Sequence, residues 1–291
     1  MAVDALTENR KLVGLPGRKS FTYRSPIRVG RYVSAASAML AGAIIVNILA
    51  SSPAAKWPRV ATYFIDPLIL EGVGKTIVLT FAAMAIAVVV GIALAIMRRS
   101  TDPSLRAVSW VYVYVMRSIP VLVLILFTYF LAVLLPRLSF GIPFGGPKIW
   151  SVDTNSVISP FTASVIALGL AQAAYTSEII RGGLLAVDRG QVEAAMSVGM
   201  TSRQSFWRVV LPQAFRVIVP GLGNESIGML KATSLVQIIG YTELLTTAQR
   251  IYSMNFATVP LLIVVTAWYM ALVAIASFGQ AKLEKAMSRG F

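Results

Sequence analysis

Three ionisable residues stand inside long apolar runs of this sequence, Arg117, Glu225 and Lys231. A charge buried in hydrocarbon is expensive, so each is a candidate to meet a charged ligand or to pair inside a helix bundle. Glu225 shares one helical face with Gly221, Gly228 and Ala232, a stripe running about 16 Å. A lone carboxylate among small residues suits two uses. It can meet the ammonium group of a ligand in a cavity, or it can belong to a structural ion pair in a helix contact made close by the small residues. Thr233 and Ser234 follow directly and add hydroxyls to the candidate ligand contacts. Lys231 lies on a different face from Glu225 and reads as structural. Arg117, with Ser118 beside it, can face a ligand carboxylate or cap neighbouring carbonyls, of which capping is preferred. Glu178 and Arg181, three apart, read as a helix-surface pair.

Much other chemistry is excluded. The chain has neither histidine nor cysteine, which removes thiol nucleophiles, disulfides, imidazole or thiolate metal sites and the commonest general base. No catalytic residue, metal site or cofactor is expected. Gly72-Val73-Gly74-Lys75-Thr76 ends like a phosphate-binding loop, but the glycine required five positions before Gly74 is Ile69, and no buried strand precedes it. Any ATP-driven work therefore needs another polypeptide.

The elements that must position these residues are membrane spans. Hydrophobic residues make up 57% of the 291, charged residues 13%, and the mean hydropathy is +0.75, a composition foreign to soluble domains. A spanning helix needs about 20 apolar residues, and six stretches qualify: about 33–50, 71–97, 107–135, 159–180, 217–240 and 259–281. Residues 1–32 read as a basic tail, not a cleaved leader, and 33–50 as a retained additional N-terminal anchor. The formal charge of +14 sits between the spans, which argues against nucleic acid and for a membrane orientation. With both ends cytoplasmic, the inner segments 1–32, 182–216 and 282–291, the 98–106 turn and Arg181 together hold 18 Lys and Arg; the outer ones hold Lys56, Arg59, Arg137, Lys148 and Arg250. The outer segments, such as Phe140–Pro147, carry proline and aromatics that suit surface turns and interfacial anchoring.

The stretch Gly190–Arg203 reads as a short helix, with Glu193 near its start, Ala194 and Ala195 giving propensity without bulk, and Gly199 supplying the turn that ends it. A second helix is expected from Arg203 to about Val210, ending at Leu211-Pro212. Such a pair can dock into a partner's groove or lie on the membrane alone.

At this point the sequence resembles a family. Inner-membrane permease subunits of ABC importers carry Glu-Ala-Ala, three residues, Gly, nine residues, Ile, one residue, Leu-Pro. This chain has Glu193-Ala194-Ala195, Gly199, Val209 in place of Ile, and Leu211-Pro212 at those spacings. Ala174–Gly183, Leu211–Arg216 and Pro220–Asn224 resemble the subgroup that takes up polar amino acids, and the weaker likeness runs over 71–281.

The resemblance implies an all-α membrane fold of the type I importer kind, with about six spans, set in a bacterial cytoplasmic membrane. It implies an ABC ATPase subunit dimer seated on Glu193, Ala194, Ala195 and Gly199, and a periplasmic or lipid-anchored solute-binding protein. A second permease subunit would complete a homodimer or heterodimer in membrane lipid. Two departures touch the substrate. Arg117-Ser118-Ile119-Pro120 stands where the family often has Arg-Gly-Thr-Pro, and Lys231-Ala232-Thr233-Ser234 where it often has Lys-Asp-Ser/Thr-Ser, so an acid used by some members for basic amino acids is absent. The rival reading is a secondary carrier, proton-coupled through Glu225, which leaves the Glu-Ala-Ala loop without a purpose.

Overall fold

The computed structural model describes residues 29–141, 146 and 148–288. The expected basic tail lies outside the described residues up to position 28, as does Arg289. The chain divides into two units, 1–52 and 53–291. In the first, helix α1 (Val29–Ser51) contains the expected 33–50 span and begins four residues earlier. Ser51 Oγ closes its last turn by donating to Asn47 O at 2.7 Å.

In the second unit, α2 (Trp57–Phe64) leads into α3 (Pro67–Arg98). Asp66 caps α3 by accepting from Leu68 N, and Pro67 occupies the first turn, where its missing N–H costs nothing. Asp102 and Pro103 repeat that device at the start of α4 (Pro103–Ser118). A reciprocal Ser159–Thr162 capping box with Pro160 opens α6 (Pro160–Leu185). Among the described residues, α3, α6 and α10 (Thr258–Ser288) are each long and apolar enough to cross a membrane.

The expected third span, 107–135, is not one helix. It is α4 followed by α5 (Val121–Tyr129), bent by 101° at the break. Pro120 is the cause: the residue before a proline is pushed out of the α region, and Ile119 sits at φ −87°, ψ 126°. The expected fifth span also differs. Helix α8 (Leu211–Ala232) begins six residues before the predicted start, then tightens into a 3₁₀ helix (Thr233–Ile239) ending at Gly240 with φ +73°. At 22 residues α8 is about 33 Å long, but Gln213, Asn224, Glu225, Ser226 and Lys231 leave it more polar than the other three.

The segment between α5 and α6 was expected to be loop. It contains a two-stranded antiparallel sheet, β1 (Arg137–Gly141) with β2 (Lys148–Asp153), the one departure from an all-α fold among the described residues.

Three apolar clusters hold the unit together. The largest joins Leu79 and Ala83 of α3, Ile125 of α5, Ala167 and Leu168 of α6, Met229 of α8 and Val236 of the 3₁₀ segment. A second packs Ile69 and Val73 against α9 (Leu244–Asn255) and Leu261 and Val264 of α10. The third, Ala95, Ile180, Ala214 and Ile218, ties the ends of α3, α6 and α8. Close approach of α3 to α6 depends on Gly91, where a Cβ would lie 2.6 Å from Thr176 Cγ2. Small residues at such seams let membrane helices pack by van der Waals contact alone.

Candidate functional site

The Glu-Ala-Ala segment is a helix, α7 (Arg189–Ser197), capped by Asp188, whose carboxylate accepts from Gly190 N at 2.6 Å. Its far end is closed by two bonds, Gly199 N to Met196 O at 3.0 Å and Met200 N to Ala195 O at 3.1 Å. That is the Schellman pattern, and it needs a left-handed residue at Gly199, which has φ +82°. Ala195 is buried, anchoring the helix, whereas Glu193 and Ala194 are exposed. Met196 and Val198 are exposed as well, the latter by 75%, and so is Trp207 beyond the turn.

The second helix of this loop does not stop at Leu211-Pro212. Thr201 and Gln204 form a capping box over the turn Ser202–Ser205, and Phe206–Val210 is a π-helical segment running straight into α8. Leu211 N reaches back five residues to Phe206 O. Pro212 lies in the first turn of α8, where it has no N–H to give and its ring disfavours the normal contact with the carbonyl four residues back. The chain absorbs this by widening the preceding turn, not by breaking.

In the membrane, α6 gathers two of the charged candidates. Gln172, Tyr175 and Ile179 lie at i, i+3 and i+7, on one face. Gln172 Nε2 donates to Glu225 Oε2 at 2.5 Å. Ile179 fills the space left by Gly221, where a Cβ would come within 2.7 Å of its Cγ2. The Arg117 guanidinium, carried by α4, lies over the Tyr175 ring at 5.2 Å. Arg117 and Ser118 also line an open pocket of about 350 Å³ with Arg98, Trp110, Tyr114 and Glu178.

The other candidates lie elsewhere. A Cβ on Gly228 would meet nothing within 4 Å, so that position is open space. Ala232 packs against the largest cluster. Thr233 is fully buried, with its hydroxyl donating to Leu230 O at 2.7 Å. Ser234 Oγ donates to Lys231 O and Ser118 Oγ to Tyr114 O, so these hydroxyl protons are spent on the local backbone. Lys231 is exposed. Glu178 and Arg181 form the expected pair, with Arg181 Nη2 at 2.6 Å from Glu178 Oε2.

Two polar features escaped the sequence reading. Gln172 is a neutral amide in an alanine-rich run, and its signal was there to find: an amide in hydrocarbon also needs a partner. Glu243 is fully buried at the start of α9. Its carboxylate accepts from Leu245 N, Thr246 N and Thr246 Oγ1, each at 2.8 Å, and from Tyr269 OH at 3.0 Å. Thr76 Oγ1 and Lys75 Nζ bind the same turn to α3.

A family model described as the binding-protein-dependent transport system inner membrane component matches residues 87–289. The chain belongs to this family. It is thus a permease subunit of an ATP-driven importer, a multi-pass protein of the inner membrane, and not a secondary carrier. It works with a separate ATPase, which performs the hydrolysis, and with a binding protein.

The permease is 38% identical to the arginine transport system permease ArgU of Corynebacterium glutamicum over 265 residues, covering 90% of this chain and 81% of that one. That alignment is longer than the second unit, so it takes in part of the first. It is 36% identical to the nopaline transport system permease NocM of Agrobacterium fabrum, over 72% of this chain and 84% of that one. Among solved structures, one described as an amino acid ABC transporter with histidines matches with a TM-score of 0.65 and 34% identity, over 76% of this chain and 94% of that one.

Proposed function

We propose that this permease moves a polar amino acid across the inner membrane. The observation that carries the substrate class is the α6 face that holds a carboxylate, Glu225, and a guanidinium, Arg117, through Gln172 and Tyr175. Those two anchors are three residues apart, about 4.5 Å of helical rise. The charges on an amino acid, one ammonium and one carboxylate on the same carbon, call for a pair of opposite charges at such spacing. The substrates for which the relatives are named, arginine and nopaline, and the histidines of the solved structure agree with that chemistry.

In this reading the binding protein, periplasmic or lipid-anchored, delivers the solute from outside. A second permease subunit, identical or homologous, completes the path. The ATPase dimer seats on α7, where Glu193 and Ala194 face water beside bare Met196 and Val198, an apolar patch that a partner would cover. Gly199 sets the end of that helix, and Ala195 fixes it to the body. The termini face the cytoplasm in this reading, which the Lys and Arg distribution supports. Reporter fusions after residues 150 and 288 report outside and inside respectively; both on one side ends this topology.

The substrate assignment is tested by uptake into vesicles reconstituted with the cognate ATPase and binding protein, using arginine, histidine and glutamine. Removing the Glu225 charge deletes a charge-assisted contact worth roughly 1.5–3 kcal/mol, about one to two decades of affinity. Glu225→Gln should therefore raise the concentration for half-maximal uptake by that factor. Unchanged uptake of every amino acid by the variant would remove Glu225 from the path.

A further inference from the structure

We propose that the β1–β2 hairpin is a membrane-interface anchor, lying flat with one face in the lipid headgroup and upper acyl region. The register makes it two-faced. Leu138 pairs with Val152 and Phe140 with Trp150 on one side, while Arg137 pairs with Asp153 and Ser139 with Ser151 on the other. Cross-strand partners share a face and successive residues alternate, so the first side is wholly apolar and the second wholly polar. Phe140 is 72% exposed and Trp150 55%. A register irregularity beside Phe140 leaves Ile149 unpaired at the same end, and it too is exposed.

The occupant follows from what precedes the hairpin. Phe127, Phe130, Val133, Leu134 and Leu135 are all exposed apolar side chains, and they belong to or directly follow α5, the second arm of a bent helix pair apolar enough to span a membrane. Only Pro136 separates Leu135 from β1, at most about 3.6 Å of chain per residue. The headgroup zone is roughly 5–7 Å deep on each face of a bilayer, so the hairpin starts inside it. Its base is held there: Thr154, fully buried, donates from N to Pro136 O at 3.0 Å and from Oγ1 to Leu135 O. Tryptophan and other aromatics favour this zone, where an apolar body and polar surroundings meet. The basic Arg137 and Lys148, both exposed, suit anionic headgroups. A hairpin standing out into water would instead expose three large apolar groups, Phe140, Ile149 and Trp150, with nothing among the described residues to cover them.

The absence of native cysteine makes the test direct. Full-length single-cysteine variants Ser139→Cys, Ser151→Cys, Phe140→Cys and Trp150→Cys are spin-labelled in phosphatidylcholine–phosphatidylglycerol nanodiscs without other subunits. Collision with oxygen, which concentrates in lipid, is compared with collision with a water-soluble nickel chelate. The expected result is alternation: an oxygen-to-nickel ratio several-fold higher at 140 and 150 than at 139 and 151. The two serine variants keep both aromatics, so they report on the native face. Equal ratios at all four positions would put the hairpin in water. Exclusion of both reagents at 140 and 150 would mean that protein, such as a second copy in the disc, covers it; either result overturns the anchor.

Discussion

Glu243 and Glu225 are both carboxylates in an apolar setting, and the protein treats them in opposite ways. Around Glu243 every direction is filled: two backbone N–H groups and two hydroxyls converge on it, and three helices meet there. Glu225 is half-buried, with a single side-chain hydrogen bond, from Gln172, among the described residues. Saturation marks a carboxylate whose task is to join α9 to α10; an incomplete set of donors marks one with capacity for something else. Burial alone would have ranked them the wrong way round for function.

The largest expected effect breaks the saturated site. Glu243→Gln keeps the shape but gives one acceptor oxygen for four donors and brings an N–H₂ against donors already in place. Each bond to a charged acceptor is worth about 1.5–3 kcal/mol, so a loss of at least ~3 kcal/mol is expected, read as a lower melting temperature in detergent. A variant as stable as the wild type would mean that Glu243 is not a structural hub.

Next, Glu225→Gln should leave melting temperature, assembly and ATP hydrolysis with loaded binding protein near wild type while limiting-substrate transport falls. A matching loss of stability would make the two carboxylates alike and end the contrast. Glu178→Gln is the paired control; its ion pair with Arg181 is partly exposed and worth about 0.2–1 kcal/mol. Transport that fails in this variant and survives in Glu225→Gln would move the site along α6.

The smallest effect lies outside both regions. Gly199→Ala puts a Cβ on a left-handed residue, a strain of about 1–2 kcal/mol, which should loosen the end of α7 and weaken co-purification with the ATPase several-fold. Ligand affinity should not change, separating coupling from binding. Undiminished association would remove α7 from the docking surface.

The sequence exposed the helices best where proline, aspartate and serine punctuate apolar runs, as at Asp66-Pro67 and Ser159-Pro160. It also carried the α7 loop, because Gly199 has a single conformational purpose. It misled where punctuation was present but hydropathy outweighed it. Pro120 was in plain view inside an otherwise continuous apolar stretch, and it turns the chain through 101°. Pro212 erred in the other direction, since a proline in a first turn continues a helix. The hairpin was hidden by its turn-rich middle, although Leu138-Ser139-Phe140 and Trp150-Ser151-Val152 do alternate. For the site, Glu225, Gly221 and Arg117 were legible as expensive or small residues, but their meeting place on α6 was not. That depends on Gln172 and Tyr175, whose partners are more than 50 positions away along the chain.

The unbroken passage from Ser202 through the π segment to Ala232 makes this stretch a lever. Phe206 to Glu225 is 19 residues, about 28 Å along the axis, in one continuous helical run that carries Pro220 in its interior. A tilt of about 10° about the Phe206 end would sweep the Glu225 backbone sideways by about 5 Å, more than enough to part its carboxylate from Gln172. A small rotation at one membrane surface is thereby amplified into a whole-atom displacement at mid-depth.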